Sequence, residues 1–268
     1  MPIIAYFGIN ILVSVFFAVY MYRSGSLSPS SYGDMQAVEE MVYSHSFELS
    51  MITLLLVIAV LLPGFLKDER KKYDAAYESS LGIRGLLTAA LFGIGSYMAV
   101  DIIIVILDGV FGLGEILSSH DEAIDLIYSG SLMKDILLLC IVTPFAEELM
   151  MRGKVFNRLR QMIAEKDAVM LSAVIFACLH MGSLLQMAYT FLLGYLMSYA
   201  YMKYENILMP VVIHAVFNLT NFISEIPGLT ELMNTRQGML IYYFTGVILI
   251  SFTVRTLRNR EKPPLKEA

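Results

Sequence analysis

The stretch SFELSMITLLLVIAVLLPGFL (46–66) decides the fold, because its 21 residues include a single ionisable side chain, Glu48. A helix needs about 20 apolar residues to cross the hydrocarbon core of a bilayer. KDERKK (67–72) follows at once and carries four basic residues. Basic residues next to an apolar run mark its cytoplasmic end. The stretch therefore predicts a transmembrane helix that ends in the cytoplasm.

The same pattern recurs along the chain. Of its 268 residues, 57% are hydrophobic and only 16% are charged, whereas a soluble domain carries about 25% charged residues. The mean hydropathy is +0.66. Hydropathy predicts helices at 3–23, 46–66, 83–110, 132–158, 167–182, 184–203, 207–224 and 237–257. We therefore predict an all-α, polytopic membrane bundle of about eight helices, in which 167–182 is the weakest span because Gly182 and Ser183 interrupt it.

The charge distribution predicts the orientation. With both termini in the cytoplasm, 16 of the 19 Lys and Arg residues lie on the inner side. Only three lie outside: Arg23, Lys134 and Arg236. The outer loops are instead acidic. This positive-inside bias predicts a multi-pass protein of the cell membrane with cytoplasmic termini.

Composition also excludes several classes of protein. The net charge of −5 leaves no basic footprint for nucleic acid. Cys140 and Cys178 lie in apolar runs without a CxxC pair, which indicates neither a disulfide scaffold nor a zinc ribbon. We find no soluble domain or clear repeat, and interpret 1–268 as a single transmembrane domain. It divides into helices without motifs (1–130), a core (131–224) and a last helix (237–257).

Ionisable residues inside membrane spans are costly and usually functional. Apart from Asp101 and Asp108 in the third predicted helix, the polar side chains of the spans concentrate in the fourth, fifth and seventh: Glu147, Glu148, Arg152, His180, His214, Asn218 and Asn221. At 1.5 Å per residue, Glu147, His180 and His214 lie about 16, 20 and 16 Å from the predicted cytoplasmic flanks of their helices at Arg158, Asp167 and Lys203. Three helices thus place a carboxylate and two imidazoles at similar depth, where they can share one site.

The spacing within these helices is informative. Glu148 and Arg152, and likewise His214 and Asn218, are four residues apart and share a helix face. Glu147 and Glu148 point about 100° apart, so that one should face a cavity while the other engages Arg152 or a neighbouring helix. A carboxylate and an imidazole can activate a shared water, and a second His with an Asn can stabilise an oxyanion. We expect a wet cavity that opens toward the cytoplasm.

Three segments resemble one known family. TPFAEELMMRGKVFNRL (143–159) is similar to the EExxxR motif of the CAAX-protease and bacteriocin-processing (CPBP, or Abi) family. LSAVIFACLH (171–180) matches its FxxxH motif with Phe176 and His180, and NILMPVVIHAVFN (206–218) matches its HxxxN motif. The order and spacing agree over about residues 140–222, and the predicted eight spans are similar to those of type II CAAX prenyl endopeptidases.

The resemblance implies a role for each motif residue. Glu147 would be the general base acting on water, and His180 would help to activate that water. His214 and Asn218 would form the oxyanion hole, while Arg152 and Glu148 would hold the architecture. The resemblance favours a reaction without a cofactor. Zinc on Glu147, His180 and His214 is the alternative, since two His and one carboxylate are a known zinc set, although the sequence has no HExxH.

The expected function is therefore intramembrane proteolysis of a membrane-associated or lipidated peptide or protein, prenylated or not. A bacteriocin-immunity protein or membrane scaffold of the same fold is the main alternative. An ion-coupled transporter is a third alternative. It is less favoured because the sequence shows no clear repeat and no paired broken helices. The sequence predicts no oligomeric state.

Overall fold

The computed structural model of the chain describes residues 2–24, 42–72, 81–118, 131–233 and 235–263. Within these residues every secondary-structure element is a helix, and there is no strand. The elements are α1 (Pro2–Arg23), α2 (Ser46–Lys72), α3 (Gly82–Phe111), α4 (132–159), α5 (Glu165–Cys178), α6 (Leu184–Tyr204), α7 (Leu208–Ser224), α8 (Pro227–Met233) and α9 (Arg236–Asn259). The predicted all-α class is confirmed.

Helix α4 is a composite of five consecutive segments. It alternates α-helix and π-helix as Leu132–Asp135, Ile136–Val142 (π), Thr143–Met150, Met151–Phe156 (π) and Asn157–Leu159. Runs of π-helix are rare and often mark functional sites. The two π segments directly flank the segment that carries Glu147 and Glu148.

The number of membrane spans differs from the expected eight. Within the described residues, four helices are long and apolar enough to cross a bilayer: Pro2–Arg23, Ser46–Glu69, Gly82–Phe111 and Arg236–Asn259. A fifth span results if α7 and α8, which meet at 88°, count together. Helix α5 is too short, because its 14 residues reach only about 21 Å. The eight-span count and the cytoplasmic position of the termini therefore stay predictions.

The helices form a bundle with two chemically different ends. The basic end comprises residues 66–72, 154–166, 203–208 and 258–262, where Lys154 Nζ lies 2.8 Å from Asp68 Oδ2 and Arg160 Nη2 lies 2.9 Å from Glu205 Oε2. The far end comprises residues 46–48, 111–118, 131–135, 184–186 and 224–238. There Lys134 Nζ lies 2.9 Å from Glu48 Oε1. These contacts align the neighbouring helices at both ends.

Local sequence explains where two of the helices stop. Gly112 adopts φ +63° and donates its N–H to the carbonyl of Asp108, a left-handed cap that favours glycine. The Asp108 carboxylate accepts the N–H of Leu113 at 2.8 Å, so this ionisable residue caps a helix end. Helix α5 ends at Cys178, four residues before the predicted end. His180 consequently lies in the turn between α5 and α6, not on a helix.

Two glycines allow the central helices to pack closely. A Cβ on Gly194 of α6 would lie 3.1 Å from Cδ1 of Phe176 and 3.3 Å from Cα of Ala173 on α5. A Cβ on Gly93 of α3 would lie 2.7 Å from the carbonyl oxygen of Ile213 on α7. The absence of side chains at these positions brings α3, α5, α6 and α7 together around α4.

Candidate active site

A proline in α4 frees one backbone carbonyl beside the candidate site. The π-helical pattern pairs each N–H with the carbonyl five residues earlier, as Thr143 N–H does with Leu138. The next residue, Pro144, has no N–H, so the carbonyl of Leu139 lacks this partner. The side-chain amide of Asn218 on α7 donates to that carbonyl at 2.7 Å. The proline thus creates an acceptor that ties α7 to α4.

Glu147 and Glu148 point in different directions, as their adjacent positions on a helix predict. Glu147 lines a cavity, and its Oε2 lies 3.7 Å from Nε2 of His180. Glu148 is 0% exposed and lies beneath this cavity. Oε2 of Glu147 is buried and accepts no hydrogen bond from the described residues. Oε2 of Glu148 also lacks a hydrogen bond among the described residues, but it lies 2.7 Å from the Nη1 cation of Arg152. Since nearly all buried polar atoms in proteins have a partner, Oε2 of Glu147 calls for a functional explanation.

Arg152 holds the buried side of the site together. Its side chain is fully buried, and Nη1 lies 2.8 and 2.7 Å from the two carboxylate oxygens of Glu148. Nη2 donates to the carbonyl of Gly194 at 2.8 Å, and Nε donates to Oγ of Ser198 at 3.3 Å. The guanidinium also lies 4.9 Å from the centre of the Phe176 ring. These contacts join α4 to α5 and α6 and satisfy a charge that burial would otherwise penalise.

The turn after α5 fixes the ring of His180. Nδ1 lies 2.8 Å from the carbonyl oxygen of Phe176, and the two rings are 4.4 Å apart. Because a carbonyl only accepts, Nδ1 must carry the proton. In the neutral ring Nε2 is then an acceptor, and it faces the carboxylate of Glu147 at 3.7 Å. Two acceptors at this distance form no direct hydrogen bond.

His214 is anchored by the buried ion pair. Its Nδ1 lies 3.1 Å from Oε1 of Glu148, and its ring packs edge-on to Phe176 at 6.0 Å. A carboxylate accepts, so Nδ1–H is the donor. His214 and Asn218 share one face of α7, and both line the same cavity as Glu147 and His180. The motif residues therefore meet in one place, while their catalytic roles stay predictions.

The cavity has a volume of about 520 Å³ and a mixed polar and apolar lining. It includes Asp101 and Asn221, whose roles the sequence left open. It also includes uncharged polar residues that the sequence did not single out: Tyr97, Thr143, Gln186, Tyr189 and Thr190. Hydroxyl and amide side chains are common in helices and give no motif, which is why reasoning from costly charges missed them. The predicted topology also places His45 and His120 in outer loops; His45 packs against Phe17, and His120 lies outside the described residues.

A second cavity of about 290 Å³ lies on the other side of Glu147. Helices α1 and α2 supply its polar residues Tyr6, Asn10, Ser46, Ser50 and Thr53. It shares Leu139, Thr143 and Glu147 with the larger cavity. The region 1–130 carries no motif, but it provides one wall of the candidate site.

The larger cavity runs away from the basic end. On α7 its lining begins at His214 and continues through Asn218 and Asn221 to Glu225. Glu225 is exposed at the far end of the bundle. The sequence led us to expect an opening on the cytoplasmic side, and the predicted topology assigns the basic end to that side. Depth measured from the basic flank locates a residue within its helix but does not tell which side of it is open.

The described residues offer no ready metal site. No group of three or more His, Cys, Asp and Glu among them is arranged to hold a metal ion. Glu147 and His180 are close, and His214 contacts Glu148 through Nδ1, which leaves Nε2 of His214 as the atom that a metal would use. The alternative zinc set of Glu147, His180 and His214 therefore stays a prediction, and we derive no step through a metal.

Comparison with known proteins agrees with the resemblance seen in the motifs. Residues 129–220 match the family model described as Type II CAAX prenyl endopeptidase Rce1-like. The matched range contains Glu147, His180, His214 and Asn218. No curated protein and no solved structure matches the chain. Over residues 129–220, the chain is thus similar to the Rce1-like type II CAAX prenyl endopeptidases.

Proposed function

We propose that this protein is an intramembrane endopeptidase that uses a water activated by Glu147 and His180. The observation that carries the proposal is the buried Oε2 of Glu147, which has no hydrogen-bond partner among the described residues and faces Nε2 of His180 at 3.7 Å. A water between these two acceptors donates one proton to each and joins them at ordinary hydrogen-bond lengths. The large cavity next to this water accommodates a peptide segment.

The reaction begins when Glu147 takes a proton from the water. The oxygen of the water adds to the carbonyl carbon of the scissile peptide bond, which produces a tetrahedral oxyanion. When this species collapses, the carbon–nitrogen bond breaks and Glu147 returns the proton to the leaving nitrogen. The products are an amine and a carboxylic acid, which keeps the second proton of the water, and the enzyme is restored. His180 orients the water through Nε2, because its Nδ1 is held by the carbonyl of Phe176.

His214 and Asn218 stabilise the oxyanion. Glu148 accepts a hydrogen bond from Nδ1 of His214 and fixes the ring in the cavity wall. In this proposal the ring also carries a proton on Nε2 and donates from there to the oxyanion. Asn218 uses one of its two amide hydrogens on the carbonyl of Leu139 and retains the other for substrate. Donors that are fixed before the reaction stabilise developing charge without reorganisation.

The substrate is a peptide segment that reaches the site within the bilayer of the cell membrane. The test is a panel of fluorogenic peptides, prenylated and unprenylated, incubated with purified protein. We expect the wild type to cleave and Glu147→Gln to be inactive but folded. Glu115→Gln, an exposed carboxylate at the far end, is the matched control and should cleave like the wild type.

The same preparation separates the competing functions. A membrane scaffold or immunity protein would show no cleavage of any peptide and would keep its cellular phenotype in the folded Glu147→Gln variant. Metal content is measured alongside. A stoichiometric metal that is required for cleavage and is lost in His180→Ala would overturn the metal-free reaction.

A further inference from the structure

The second cavity, which we call the small cavity, is lined by hydroxyl groups without a partner in the protein. Ser50 and Thr53 of α2 and Thr143 of α4 all line it. No hydrogen bond joins any of these three side chains to another described residue. Thr53 is only 3% exposed, so that bulk solvent hardly reaches it. Because nearly all buried polar groups are hydrogen-bonded, these hydroxyls indicate a bound ligand.

The hydroxyls at the large cavity are different. Thr190 donates to the carbonyl of Gln186 at 2.6 Å, the usual bond of a helical Thr to the residue four positions earlier. The hydroxyl of Tyr97 donates to Oδ1 of Asn221 at 3.1 Å. These groups are satisfied without a ligand, whereas Thr53 on α2 makes no such bond. The polar lining of the small cavity is thus the one that needs a small polar ligand.

Size indicates what each cavity holds. Pockets for organic ligands have volumes of about 300–1,000 Å³. The large cavity, at about 520 Å³, is within this range, and the small cavity, at about 290 Å³, is just below it. A water molecule takes about 30 Å³ in the liquid and needs two to four polar partners. The small cavity therefore has the volume and the hydroxyl groups for several water molecules.

The small cavity reaches Glu147 without passing through the large one. On α2 its lining begins at Ser46, the first residue of the helix, and extends to Leu54, about 12 Å along the axis. On α4 it ends at Glu147, which also lines the large cavity. Glu147 thus forms part of the wall between the two cavities.

We infer that the small cavity is a water-binding site that keeps water at Glu147 while a peptide occupies the large cavity. Helices α1 and α2, which carry no motif, thereby supply a reactant to the site. The role of this water in hydrolysis rests on the proposed peptidase function, whereas its presence in the small cavity does not.

The presence of water is tested by cysteine labelling without any substrate. Cys140 and Cys178 are replaced by Ala, and Ser50→Cys is introduced into the purified protein. A small, water-soluble methanethiosulfonate is added, which reacts with the thiolate that forms in contact with water. The controls are Ser172→Cys, at a position that is 0% exposed, and Leu55→Cys, at a position on α2 that is 51% exposed on the apolar surface. We expect the Ser50→Cys variant to react much faster than both controls, and equal rates overturn the water site.

A bound peptide tests whether the two cavities are separate. The peptide that is cleaved best is prepared with its scissile amide reduced to a methylene amine, which cannot be hydrolysed. We expect this analogue to protect Gln186→Cys, in the lining of the large cavity, and to leave the labelling of the Ser50→Cys variant unchanged. Protection of both cysteines would show that the small cavity belongs to the peptide site, and would overturn the inference.

Kinetics test the role of this water in the reaction. Ser50→Leu fills the small cavity, and we expect kcat to fall about tenfold or more, the effect of losing roughly one hydrogen bond to the water. KM should stay unchanged, because the peptide binds elsewhere. Thr53→Val keeps the shape of its side chain and should act in the same direction, which covers a failure of Ser50→Leu to fold. The matched control is Ser14→Leu, on the exposed surface of α1, which should cleave like the wild type.

The outcomes separate the two proposals. A kcat equal to that of Ser14→Leu in both small-cavity variants, or a rise in KM instead, overturns the supply of water from the small cavity. If the wild type cleaves no peptide while the Ser50→Cys variant reacts as expected, the peptidase function and the role of the water in it fail, and the water site stands.

Discussion

The neighbouring carboxylates Glu147 and Glu148 of α4 lie in different environments. Glu148 lies on the closed side, where Arg152 and His214 both engage it. Glu147 lies on the open side, between two cavities, and its buried Oε2 lies 3.7 Å from Nε2 of His180, whereas Oε2 of Glu148 lies 2.7 Å from Nη1 of Arg152. Buried charges that hold a fold are paired. The comparison indicates that the closed side stabilises the bundle, and under the proposed function the open side leaves room for a water and a substrate.

The largest expected effect is on the open side. Glu147→Gln keeps the size of the side chain but removes its ability to take a proton. Since general base catalysis contributes about 10²- to 10⁴-fold, we expect cleavage to fall by about that factor. Thermal unfolding in detergent should change little, because Glu147 has few partners to lose. A variant that retains activity, or that unfolds, would remove the distinction between the two sides.

The closed side should show the reverse behaviour. Arg152→Met leaves Glu148 buried without its main partner. Breaking a buried ion pair in this way costs about 3–5 kcal/mol of the free energy of unfolding, measured by denaturation in mixed micelles. The double variant Glu148→Leu, Arg152→Met removes both charges and should recover much of this loss. If the double variant is less stable than Arg152→Met, the pair does not act as a structural unit.

A smaller effect is expected where α6 packs against the closed side. In Gly194→Ala the new Cβ would lie 3.1 Å from the Phe176 ring and 3.3 Å from Cα of Ala173. Overpacking of this kind costs about 1–3 kcal/mol. Gly228→Ala is the matched control, because nothing lies within 4 Å of its Cβ. Equal melting temperatures for the two variants would show that α6 can move away from α5 without a loss of stability.

Much of this arrangement follows from the sequence. Apolar runs and basic flanks located the long helices to within a few residues at most ends, since the cost of burying charge in lipid is large. The 100° between successive helical residues predicted that Glu147 and Glu148 would separate. The motifs placed the acid and the two imidazoles on elements that meet. Each of these predictions depends on a large energy or a fixed geometry that local sequence determines.

Other features depend on packing that local sequence does not encode. The π segments of α4 require only a shift of hydrogen bonds by one residue, which changes no apolar pattern. The early end of α5 moves His180 into a turn, where the carbonyl of Phe176 fixes its ring. The wall built by Tyr6, Asn10 and Ser50 comes from helices without a motif. The direction of the cavity depends on which side of Glu147 the core fills.

The smallest effect on stability concerns the hydrogen bond by which Asn218 of α7 is joined to α4. Asn218→Ala leaves the carbonyl of Leu139 without its donor, and hydrogen bonds between membrane helices contribute only about 0.6 kcal/mol on average. If Asn218 also stabilises the oxyanion, cleavage should fall by a factor of about 10² to 10³, far more than the stability change would produce.

Pro144→Ala separates these two roles of Asn218. The new N–H at position 144 can donate to the carbonyl of Leu139 by the same five-residue spacing that pairs Thr143 with Leu138. Added to Asn218→Ala, it should restore stability and leave cleavage impaired, because an N–H bound inside α4 offers nothing to substrate. Recovery of cleavage together with stability would instead mean that Asn218 acts only by holding α7 against α4, and that the oxyanion is stabilised by His214 without it.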